Sequence, residues 1–79
     1  MYVHIGRDNV IRKRSILGIF DLDQASQNKD TVGFLRKAEK EGRLINVTDE
    51  LPKAFILTDD GLVYMTQLGA KTIAGRTAN

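Results

Sequence analysis

"KAFILTDDGLVYMT", residues 53–66, decides the fold. Two apolar, strand-forming runs flank Asp60 and Gly61, a pair suited to the positive φ angles of a two-residue type I′ turn. The stretch therefore reads as a β-hairpin. Just before it, "TDELP" (residues 48–52) is a loop, because Pro52 cannot supply a central-strand donor. "RLINV" (residues 43–47) begins another strand. Upstream again, Phe34, Leu35 and Ala38 give the narrow apolar stripe of a helix over Thr31–Glu41. Asp30 suits its N-cap, and Gly42 sits where a left-handed residue ends a helix.

The N-terminal part continues the pattern. Val3 and Ile5 alternate onto one face of a first strand, "GRDN" (residues 6–9) is a turn, and "VIRKR" (residues 10–14) returns as a short second strand. "SILGIFDL" (residues 15–22) reads as a well-buried strand, with Gly18 marking a bulge or a close backbone approach. "DQASQNKD" (residues 23–30) is a polar loop, and "GAKTIAGR" (residues 69–76) a short helix ended near Gly75. The expectation is a single α+β domain over residues 1–79. It has a small, mostly antiparallel sheet of five or six strands, one main helix and a short C-terminal helix.

Composition narrows the chemistry. A chain of 79 residues without cysteine has a marginal core and no disulfide or thiolate staple. His4 has no second histidine with which to share a metal, and reads as a strand histidine. No apolar run approaches the ~20 residues of a membrane helix. "MYVHIG" lacks the pattern of a signal peptide. A cytoplasmic location, with no membrane partner, is the default. Ser15 and Ser26 lie in no nucleophile-elbow sequence, and the seven glycines form no phosphate loop. Asp21 and Asp23 read as a strand exit, and Asp59 and Asp60 as hairpin turn. Neither enzymatic activity, a small-molecule substrate nor a cofactor is expected.

Basic residues are the remaining feature. Arg12, Lys13 and Arg14 are consecutive, and Arg7 can join them across the turn. Clustered Arg and Lys contact phosphates, each adding salt-sensitive affinity. Four such charges bind weakly alone, but repetition around an oligomer raises the effective concentration. The plain alternative is a solvated turn, or charges paired with Asp8, Asp21 and Asp23. On the helix, Lys37–Glu41 and Glu39–Arg43 have the spacing of ion pairs. Tyr2, Phe20, Phe34, Phe55 and Tyr64 fit core alternation, with Tyr2 and Tyr64 also suited to a subunit edge.

"MYVHIG", "ILGIFDL", "FLRKAEKEGRLINV", "LPKAFILTDDGLVYMT" and "TIAGR", in this order and spacing, resemble the RemB branch of the bacterial RemA/RemB family of extracellular-matrix (biofilm) regulators. The resemblance implies a small cytoplasmic regulator of matrix genes. In the RemA branch it implies a DNA-binding transcriptional activator with a LytTR-like fold, assembled into rings. The chain departs from that pattern in two places. "TDELP" stands where RemA-like chains carry an Arg-Arg pair serving DNA, leaving Lys53 as the nearby cation. "TQLG" (residues 66–69) stands where RemB-type relatives have Ser-Pro-Ile-Ser. Arg14 and Ser15 match the family's other DNA-contacting position most closely. The expected double-stranded DNA contacts are therefore Arg7, Arg12, Lys13, Arg14 and Lys53 on a homo-oligomer. The acidic loop motivates the alternative of an oligomeric protein-interaction module that modulates a partner regulator without touching DNA. In either case the strand over Met1–Gly6 is a candidate for pairing between subunits.

Overall fold

The computed structural model describes residues 1–6 and 8–77, and its six strands divide between two sheets rather than forming one. Strands β1 (Tyr2–Gly6) and β2 (Asn9–Arg12) make an antiparallel ribbon. A 3-10 turn over Lys13–Ser15 separates them from β3 (Ile16–Asp21). The break falls on the cationic run: Arg12 and Ile16 are extended on either side of it. Lys and Ser have little of the strand preference that the flanking branched residues supply.

Helices α1 (Leu22–Ala25) and α2 (Lys29–Lys40) follow, then β4 (Leu44–Asn46), β5 (Ala54–Thr58), β6 (Val63–Thr66) and α3 (Ala70–Thr77). The larger sheet has the order β3–β5–β6–β4. The connection through α2 carries the chain from one edge to the other, so β4 runs parallel to β6 while the remaining pairs are antiparallel. The expected bulge at Gly18 is present, as a register shift between Ile16 and Gly18.

Local differences from the sequence reading have local causes. The β5–β6 loop is one residue longer than the two-residue turn: Thr58 N donates to Leu62 O at 3.1 Å and Gly61 N to Thr58 O at 3.1 Å. Gly61 takes φ +85°, the left-handed residue that follows the turn in a three-residue hairpin loop. The Asp60 carboxylate accepts from the Thr58 hydroxyl and from Leu62 N, which closes that loop. Helix α2 starts two residues earlier than expected, because Asn28 rather than Asp30 is its cap. Asn28 Oδ1 accepts from Asp30 N at 2.9 Å and Thr31 N at 3.1 Å. Asp30 then lies in the first turn, where negative charge suits the helix dipole. Part of the expected polar loop is helical, with Asp21 capping α1 through Asp23 N at 2.8 Å.

Strand alternation gives the larger sheet two apolar faces. Phe55, Leu57, Val63 and Met65 pack under Phe34, Leu35 and Ala38 of α2. Ile56, Tyr64, Ile19 and Ile45 face the opposite layer, made of Val3, Ile5 and Ile11 of the ribbon together with Ile73 of α3. The protein is thus three layers deep, with the ribbon and α3 sharing the outer layer. Helix α3 runs past Gly75, because the burial of Ile73 on the ribbon holds it.

The join between ribbon and sheet is polar as well as apolar. The buried Thr66 hydroxyl donates to Ile5 O and accepts from Leu68 N. The corner at residues 66–69 therefore fastens β1 to the end of β6. No helix among the described residues is long and apolar enough to cross a membrane.

Candidate nucleic-acid interface

The 3-10 turn puts Arg12, Lys13 and Arg14 together at one end of the molecule. The turn is held from both sides: Lys13 N donates to Met1 O at 3.0 Å, and Asp59 N donates to Ser15 O at 2.8 Å. Arg12 and Arg14 are exposed and Lys13 is half-buried. With Met1 and Tyr2 the three cations line an open concavity of about 660 Å³. The backbone of the turn, held at both ends, has little freedom left to lose on meeting an anion, and its exposed arginines can reach phosphate oxygens.

One carboxylate on the sheet side, that of Asp60, is committed elsewhere. Asp60 lines a second depression with Tyr2, Val10, Arg12, Ser15 and Tyr64. The Thr58 hydroxyl, and then Leu62 N, hold its carboxyl below the ordinary value of 3.8. Burial, and secondarily the Asp60 charge, push the Tyr64 phenol above its usual 10.0. Tyr64 therefore brings a neutral hydroxyl-bearing ring to this edge, while its body packs in the core.

Lys53 is not part of the cluster. It precedes β5, where its carbonyl accepts from Leu22 N at 2.9 Å, whereas Ser15 meets Asp59 at the far end of the same strand. Six residue steps, from Lys53 to Asp59, place the two about 20 Å apart. The acidic loop lies at Lys53's end: Thr48 N is held by Asn46 Oδ1 at 3.1 Å and Glu50 N by Thr48 Oγ1 at 3.0 Å. At that separation the screening length of ~8 Å isolates Asp49 and Glu50 from the triplet in physiological salt. Arg7 lies outside the described residues.

Two other cations have structural work. Arg43 pairs with Glu41 at 2.8 Å rather than with Glu39. It also donates to Gly61 O at 2.7 Å and lies 5.8 Å from the Phe34 ring centre. Arg76, which the sequence did not single out, reaches the ribbon from α3. Its Nη1 donates to His4 O at 2.7 Å and stands 3.4 Å from His4 Nδ1. No local spacing announces a contact across 72 residues; it follows from the docking of Ile73.

The model of the RemA-like family, described as "Extracellular matrix regulatory protein A-like", matches residues 2–77. Extracellular matrix regulatory protein B of Bacillus subtilis (strain 168) is 30% identical over 76 residues, spanning 96% of this chain and 89% of that protein.

Proposed function

Because the chain belongs to the RemA-like family of extracellular matrix regulatory proteins, we propose that it is a cytoplasmic, non-enzymatic regulator that binds double-stranded DNA as a homo-oligomer. Arg12, Lys13 and Arg14 of each subunit grip the phosphate backbone, and Lys53 makes a separate contact a strand-length away. The observation that carries this reading is the braced cationic turn, whose exposed arginines stand apart from the acidic loop. Each subunit offers too few charges for tight binding, so affinity comes from several turns acting on one duplex.

The test is charge reversal, Arg12→Glu with Arg14→Glu. Both side chains are exposed, so the variant is expected to melt like the wild type while duplex binding at low salt is lost. Unchanged affinity in the folded double variant would sink the proposal. A second reading, a protein-interaction module, has its own observation: Leu51 in the acidic loop is 88% exposed. Under that reading Leu51→Ser, and not the arginine reversal, abolishes regulation.

A further inference from the structure

The ribbon has two unlike faces. Val3, Ile5 and Ile11 point inward and are at most 8% exposed. Tyr2, His4, Val10 and Arg12 point outward and are exposed, with Tyr2 at 62% and Val10 at 53%. Tyr2 lies opposite Arg12 and His4 opposite Val10, so the four form one compact patch. A large ring and a branched aliphatic group stand in water beside an arginine, on an element that is rigidly mounted. Thr66 holds Ile5 O and Arg76 holds His4 O, so the ribbon is tied to the body at two adjacent carbonyls.

We infer that this outward face enters the major groove of the DNA and reads base edges, while the adjoining turn holds the phosphates. The inference rests on the DNA-binding function proposed above and adds to it the element that confers sequence preference. The dimensions agree. A two-stranded ribbon of this length spans about 17 Å, with strands about 4.8 Å apart, and the major groove, about 12 Å wide, admits such a ribbon. The charge agrees as well: Arg12 belongs to the patch itself, Lys13 and Arg14 continue from its end, and Arg76 flanks the β1 edge at His4. Asp8 at the ribbon tip, Asp60 beside Arg12, and Asp59, whose N–H meets Ser15 O, are the acidic groups nearby.

The division of labour follows from the side chains. Val10 and the Tyr2 ring suit the thymine methyl group, while Arg12, at the end of the ribbon, keeps its phosphate contact. Arg14 and Lys13 serve phosphates and carry no sequence information.

Enrichment of bound duplexes from a randomised pool, read by sequencing, tests this with the wild type, Val10→Asn and Tyr2→Ala. Both substitutions fall on exposed positions and leave the inner face intact. The wild type is expected to enrich a short motif. Val10→Asn is expected to bind random duplex with unchanged salt dependence, and each variant to weaken discrimination at one or two positions of the motif by roughly fourfold, the worth of one buried methyl group. Identical motifs from all three proteins would overturn the inference. So would a changed subunit count in Val10→Asn with the motif unchanged, because the face would then be a contact between copies. Retention of DNA by the wild type without any enriched motif overturns the inference alone. Failure of the wild type to retain any duplex at low salt overturns the DNA-binding function together with it.

Discussion

Replacing Thr66 by Val keeps the shape of a fully buried side chain and removes only its hydroxyl. Two partners lose by it. Ile5 O loses its donor at a residue that is 0% exposed, and Leu68 N loses an acceptor at 3.1 Å. An unsatisfied buried carbonyl costs about 1–3 kcal/mol. Leu68 is only partly buried, so water replaces its partner at little further cost. A loss of about 2 kcal/mol in a chain of this size lowers Tm by roughly 8–16 °C. Thermal melts followed by circular dichroism read this directly, at one matched protein concentration because self-association raises Tm by mass action. Thr66→Ser keeps the hydroxyl and separates its contribution from that of the methyl group. A Thr66→Val protein melting within about 3 °C of the wild type, well short of that interval, would refute the argument that this hydroxyl fastens the ribbon to the body.

Three further outcomes follow from the same contacts. Ile73→Ala, at a fully buried position shared by α3 and the ribbon, is expected to cost about 2–5 kcal/mol and to expose the α3 amides to hydrogen exchange; retained protection there would contradict the packing. The Asp60 carboxyl is held below its ordinary 3.8 in the folded protein. Its contribution is therefore complete above that value and lost as pH falls through the lower folded value. Asp60→Asn should flatten the acid side of the stability profile below about pH 4, and an unchanged acid limb would show that the carboxylate is not the group responsible. Lys53→Ala should lower the salt slope of duplex binding by no more than about one unit per contact, whereas an effect as large as that of Arg12→Ala with Arg14→Ala would mean that Lys53 belongs to the main grip.

Much of the fold is local and was legible. The β5–β6 hairpin, the inward positions of Val3 and Ile5 and the stripe on α2 are set by alternation and helical spacing within a dozen residues. The division into two sheets was not legible, because it depends on Lys13–Ser15 turning where continued strand was equally compatible with the residue types. The first turn of α2 shows a closer contest. Asn28 and Asp30 are both capping residues, and only the geometry selects Asn28. The candidate site divides in the same way. The run Arg12–Arg14 is visible in any reading, but the gap between it and Lys53 depends on the register that pairs Ile16 with Thr58 and Asp21 with Ala54. Arg76 meets His4 only because α3 folds back over β1. Contacts of that kind come from tertiary docking and leave no periodic trace.

The most direct test of the account is fluorescence anisotropy of a labelled duplex of about 30 base pairs, titrated with the protein between about 50 and 200 mM salt. Subunit number would be measured in parallel by light scattering. The five candidate cations of one subunit can give a log–log slope no steeper than about −4.5, at about 0.9 per phosphate. Several turns acting on one duplex are expected to give a steeper slope, together with a subunit count above one. No binding even at the lowest salt would contradict it, leaving Arg12, Lys13 and Arg14 as a solvated turn.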